Sequence, residues 1–176
     1  MNSKFLNEYK IPFVGMKNKR YQFEYQIDGS FFKYFEHNNI NTCNVNVKLD
    51  FFKKETFFLL TFYIDGFVQV PCDRCGDLYN QEIFGDYEVA VKFGTENEII
   101  EEDEDVVYIS KNDDFVDVSK LIYEFILLSI PLRCVHPNDE NGESLCNKEV
   151  LDKLIIKKEE SIDPRWAALE KLKNKK

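Results

Sequence analysis

Cys72-Asp73-Arg74-Cys75 follows a strand-like run, Phe57 to Val70, and Pro71. Two thiolates separated by two residues can grip one tetrahedral ion from a single tight turn. Pro71 fixes the way into that turn and Gly76 frees the way out. A second half lies far downstream, in Arg133-Cys-Val-His-Pro-Asn-Asp-Glu-Asn-Gly-Glu-Ser-Leu-Cys146, which carries Cys134, His136 and Cys146. Cys134-x-His136 is an unusual spacing for two ligands of one ion. His136 and Cys146 can serve together if the loop around Gly142 folds back. The preferred set is Cys72, Cys75, His136 and Cys146, with Cys134 as alternate ligand and zinc as the ion. Such an ion would staple two distant parts of the chain.

Other uses of these residues stand beside that one. The cysteines read equally as free thiols in a reducing cytosol. A redox CxxC sits at a helix N-terminus, whose dipole lowers the thiol pKa. Gly76-Asp77-Leu-Tyr-Asn80 starts a helix poorly. Cys43 falls on the apolar side of its strand and reads as core, and His37 has no recognisable partner. Cys134 and His136 cannot face each other on a strand, and the chain carries neither a Ser-centred elbow nor a phosphate-cradling glycine loop. Catalytic and cofactor-binding residues are therefore expected to be absent, and the chain reads as a non-enzyme.

The elements that must hold the cysteines are mostly strands. Tyr21-Gln-Phe-Glu-Tyr-Gln-Ile27 alternates apolar and polar residues, as a strand with one buried face does. Asp28-Gly29 ends it, and Ser30 is placed to cap a short helix through Glu36. Cys43, Val45, Val47 and Leu49 alternate with polar residues in a second strand. Phe57 to Val70 is longer and almost wholly apolar, interrupted at Asp65-Gly66 by a hairpin turn or a bulge; the immediate return of Phe67-Val-Gln-Val70 favours the bulge. Ile83 to Phe93 predicts one or two more strands, and Val106 to Ile109 a short one. A helix starts at Asp117 or Ser119, builds an apolar face from Leu121, Ile122, Phe125, Ile126 and Ser129, and stops at Pro131. Lys148 to Ile156, capped by Asn147, predicts another. Asp163-Pro164 opens the last, with Trp166, Leu169 and Leu172 one turn apart. Strands first and helices last predict an α+β domain with a largely antiparallel sheet or partly open barrel. Residues 1–160 form this single domain, and 161–176 a short basic C-terminal helix.

Composition narrows the function. With 44% hydrophobic and 15% aromatic residues, the 176-residue chain can bury a real core. No apolar stretch is long enough for a signal peptide or a membrane span, so a cytoplasmic chain is expected. Five cysteines are an odd number, which argues against a disulfide framework. The net charge of −9 weighs against a uniformly basic nucleic-acid surface. The charge is segregated, however. Lys4, Lys10, Lys17, Lys19 and Arg20 against Glu8 give residues 1–20 a net +4. Arg165, Lys171, Lys173, Lys175 and Lys176 against Glu170 give 164–176 the same, which leaves −17 between them. Seven carboxylates crowd the ten positions Glu96 to Asp105, a solvated loop or a catcher of basic partners.

Several of these features recur together in one known family. Gly66-x-Val68-x-x-Pro71-Cys72-Asp73-Arg74-Cys75, the acidic loop, Asp117 leading into Leu121 to Ile130, Pro131, and Ile162-Asp163-Pro164-Arg165-Trp166-x-x-Leu169-x-x-Leu172 cover roughly residues 57–172. This order resembles the bacterial large ribosomal RNA subunit accumulation protein family, the YceD-like proteins. The resemblance implies a non-enzymatic factor in accumulation or maturation of large-subunit ribosomal RNA. The resemblance implies a second CxxC-like cluster after the helix in many family members, where this chain has Cys134, His136 and Cys146. The implied partners are ribosomal RNA or a precursor ribosomal particle, with a basic ribosomal protein as a further one. Arg74, Arg165, Lys171 and Lys173 are the expected phosphate contacts. The alternative is a zinc-stabilised protein-binding module whose acidic segment captures a basic partner.

Overall fold

The computed structural model describes residues 6–35, 40–94 and 106–154. In chain order these hold β1 (Lys10–Pro12), β2 (Arg20–Asp28), α1 (Gly29–Phe32), β3 (Cys43–Lys53), β4 (Phe57–Pro71), β5 (Leu78–Phe93), β6 (Val106–Ile109), β7 (Phe115–Asp117), α2 (Ser119–Leu128) and α3 (Lys148–Leu154). Five strands form an open sheet in the order β2-β3-β4-β5-β6, while β1 and β7 pair separately. Every pairing is antiparallel except β5 with β6. The fold is α+β with a largely antiparallel sheet, and the sheet does not close into a barrel.

Period-2 alternation explains which face is inside. Val45, Val47, Leu49 and Phe51 of β3 and Phe58, Leu60 and Phe62 of β4 are almost fully buried. Their neighbours Asn44, Lys48 and Thr61 lie on the opposite face. Burying each Phe is worth about 1.5–3 kcal/mol, so the ring cluster of Phe13, Phe51, Phe58 and Phe93 anchors one end of the sheet. α2 covers the middle. Its Phe125 stacks on Tyr87 at 4.5 Å and meets Phe62 at 5.1 Å, and Ile122 and Ile126 are wholly buried beside it.

Asp65-Gly66 is neither a turn nor a bulge. β4 keeps one register through both residues on each side, with Val45 and Ile83 opposite Gly66. Glycine stands there because the backbones approach closely: a Cβ would lie 2.2 Å from the Asn44 carbonyl oxygen, and φ is +152°. α1 is capped by Asp28 in place of Ser30, since the Asp28 carboxylate accepts from the Ser30 N–H at 2.8 Å. β5 is one strand that begins at Leu78, five residues before the apolar alternation starts. β4 and β5 therefore make a single long hairpin, and Cys72 to Cys75 are its tip. α2 stops before Pro131 as expected, with Ser119 buried at its start and the Asp117 carboxylate accepting from the Ser119 N–H. The acidic run Glu96 to Asp105, His37 and the basic segment 161–176 lie outside the described residues.

Candidate metal centre

The hairpin tip builds half of a cage. The Cys72 N–H donates to the Asp77 carbonyl at 2.9 Å and the Gly76 N–H to the Cys72 carbonyl at 2.8 Å. Gly76 takes φ +80°, which lets the chain turn back into β5. Both sulfurs are thereby brought to one side of the turn. The backbone N–H of Arg74 donates to Cys72 Sγ at 3.4 Å.

The other half is a folded loop. Asp139 organises it: its carboxylate accepts from the N–H groups of Asn141 and Glu143, and its own N–H donates to the Glu143 carbonyl. A bridge between Asn138 and Ser144 and a bond from the Leu145 N–H to the Pro137 carbonyl close the loop. His136 and Cys146, the residues that flank it, are thus held together. Asn147 then caps α3 by accepting from the Glu149 N–H at 3.1 Å.

The two halves are joined by backbone as well as by side chains. The Asp73 N–H donates to the Cys134 carbonyl and the Cys134 N–H to the Asp73 carboxylate, each at 2.7 Å. Asn147 donates to the Asp77 carboxylate at 3.2 Å, and the His136 N–H to Cys72 Sγ at 3.4 Å. Tyr79, the first inward residue of β5, lies against the His136 ring at 4.6 Å and fixes its orientation.

The result is a group of four. The ligand atoms of Cys72, Cys75, His136 and Cys146 all lie within 4.8 Å of one another. Cys72 Sγ and Cys146 Sγ are 3.7 Å apart, and Cys75 Sγ is 3.4 Å from His136 Nδ1. Tetrahedral zinc, with bonds of about 2.3 Å to sulfur and about 2.0 Å to nitrogen, sets these separations near about 3.8 and about 3.5 Å. The donor set and its spacing fit a zinc-sized ion. Cys134, the alternate ligand, is not in the group. Its backbone is committed to Asp73, which turns its thiol onto the Pro131 carbonyl at 3.4 Å. Arg74 sends its guanidinium to Ser144 Oγ at 3.1 Å and toward Cys146 Sγ at 4.0 Å, so it is engaged by the loop. Arg165, Lys171 and Lys173 lie outside the described residues.

Electrostatics separate the thiols. Burial opposes ionisation of Cys72, but N–H donors from His136, Cys75 and Arg74 outweigh it and bring its pKa down to about 5. Cys75 goes the other way: the Asn147 N–H favours its thiolate, yet burial and the neighbouring Cys72 and Cys146 leave its pKa raised. Burial, aided by the Asp73 carboxylate, also raises Cys134. Cys43, against the Ile27 carbonyl, is pushed up by burial to about 11 and stays an unreactive thiol in the core.

Asp73, Asp77, Tyr79, Ser144 and Asn147 brace the cluster, and sequence spacing does not single them out as a set. Only Asp73, enclosed between the two cysteines, carries a sequence signal.

A long hairpin stapled at its tip to a downstream Cys/His loop defines an α+β protein with a candidate structural metal centre. Residues 60–173 match the family described as Large ribosomal RNA subunit accumulation protein YceD. The match spans more than half of the chain, and the chain belongs to that family. The family name carries a role in the accumulation of large-subunit ribosomal RNA. No curated protein and no solved structure is detectably similar to it. Among the described residues, no helix is long and apolar enough to cross a membrane.

Proposed function

We propose that this chain is a non-enzymatic assembly factor of the cytoplasm that acts on large-subunit ribosomal RNA or its precursor particle. A zinc ion held by Cys72, Cys75, His136 and Cys146 gives it one rigid presentation of the hairpin tip and the 134–146 loop. One observation carries this reading: four ligand atoms from segments more than sixty residues apart converge within 4.8 Å, in a chain of this family. A bound zinc with three thiolates has net charge −1, which the Arg74 guanidinium beside Cys146 offsets.

The nearest rival is a Cys75–His136 catalytic pair. Two further thiols stand in contact range of that pair, an arrangement that suits ligation of one ion. Three surface grooves, beside Phe84, Thr61 and Leu128, are lined by other residues.

Two measurements test the reading. Elemental analysis of protein purified without chelator is expected to give one zinc per chain, falling well below that in Cys146→Ser. Co-sedimentation with precursor large-subunit particles is expected to weaken as salt rises and on deletion of 164–176, which carries Arg165, Lys171 and Lys173. Binding indifferent to both changes would end the RNA-contact version. A chain without metal would end the zinc version.

A further inference from the structure

β5 has an unused edge. β6 pairs only with Ala90–Phe93, so from Leu78 to Val89 the side of β5 away from β4 has no strand neighbour among the described residues. Backbone N–H and C=O groups on such an edge are a template for another strand. Long edges of this kind are usually blunted by proline, by charged side chains, lysine above all, or by a covering helix, and here the charges are the acidic Glu82, Asp86 and Glu88. Between Leu78 and Val89 there is no proline and no lysine.

α2 stands beside this edge without closing it. The space between them is a groove of about 470 Å³ whose apolar wall includes Val89, Leu121, Phe125 and the exposed Leu128. Val107 of β6 also lines it. The charged residues that line it are all acidic: Asp86, Glu88 and Glu124, the last also reaching Lys120. Asp86 and Glu88 lie on the solvent face of β5, whereas Tyr87 and Val89 point inward.

We propose that an extended, basic segment of another protein adds to the sheet here, as a new strand along β5 beside α2. The geometry sets its pattern. Alternate residues of an added strand face opposite sides. Apolar ones would enter the groove over Phe125 and Leu128. Lysines or arginines between them would lie beside Asp86 and Glu88 on the open face, where cross-strand opposite charges attract. An acidic segment in that place meets like charges and is disfavoured. The site does not involve the metal centre and stands or falls separately from it.

The test uses the full chain and a short labelled peptide that alternates lysine and valine, with glutamate–valine as control. Fluorescence anisotropy is expected to show saturable binding of the lysine peptide only. Hydrogen exchange of the amides within 82–89 that point away from β4 is expected to slow when it binds. D86K/E88K, both exposed and on the solvent face, should weaken binding by about ten-fold. N-methylating every second peptide residue should abolish binding in one frame and spare it in the other, because only one frame points its N–H groups at β5. Equal binding in both frames overturns strand addition even if a variant fails to fold. So does strong protection, before peptide is added, of the 82–89 amides that point away from β4, which would mean that the chain itself or a second copy already fills the edge.

Discussion

Cys72 has the most consequential side chain in the cage, because three backbone N–H groups favour its thiolate before any ion arrives. An unfolded cysteine titrates near about 8.5, while Cys72 in the folded chain titrates at about 5. Between those values the unfolded chain binds the additional proton. The stability that Cys72 contributes is therefore complete above the unfolded pKa, and it is lost as pH falls through the folded value. Urea midpoints of chelator-treated protein are expected to rise from about pH 5 to about pH 8, with a smaller rise in Cys72→Ser. Gly66 is decisive for a steric reason. In Gly66→Ala the new methyl meets the Asn44 carbonyl oxygen at 2.2 Å, so β3 and β4 must part. A loss of about 1–3 kcal/mol is expected in denaturant titrations, and an unchanged midpoint would show that the strands separate at no cost. Nothing in the residue order around Gly66 distinguishes this crowding from a bulge. The information lies in β3, two strands' worth of chain away from any local signal.

α2 shows how an element takes its position from several sources. Its apolar face was legible from spacing, and its residues Leu121, Ile122, Phe125 and Ile126 are buried as that spacing requires. Its start depends on Asp117, whose carboxylate accepts from the N–H and hydroxyl of Ser119 at 2.9 and 2.6 Å. Asp117→Ala is expected to cost about 1 kcal/mol in thermal or urea unfolding, and Asp117→Asn less. The strands were legible in proportion to their share of the core. β2, β3 and β4 alternate cleanly because one face of each is buried. The first five residues of β5, Leu78-Tyr-Asn-Gln-Glu82, extend beyond the core toward the cage and leave almost no apolar trace. β1 and β7, three residues each, are too short to show a period, and each exists only because the other pairs with it. That β6 lies parallel to β5 is a pairing between separate segments, which local composition does not record.

The molecule has a core and a separate satellite. Cys72, Cys134 and Cys146 are buried, yet none belongs to the apolar cluster beneath the sheet. The core is large enough to fold on its own account, unlike a small zinc finger that unfolds without its ion. Chelation is therefore expected to speed hydrogen exchange at Asp73, Cys134 and His136 while the amides of β3 and the middle of β4 stay protected. Loss of protection throughout would mean that the ion holds the whole fold. Amino-acid order was enough to establish the α+β class, the buried faces of the principal strands, the main helix and the CxxC grip, since each is a local pattern of period or spacing. It preferred His136 and Cys146 as the partners of Cys72 and Cys75 and kept Cys134 as the alternate. The Asp139-centred loop and the backbone pairing of Asp73 with Cys134 bring His136 and Cys146 to the hairpin tip and leave Cys134 outside the group. The Asp73–Cys134 pairing joins residues 61 positions apart, and a distance of that kind is set only when the chain closes on itself.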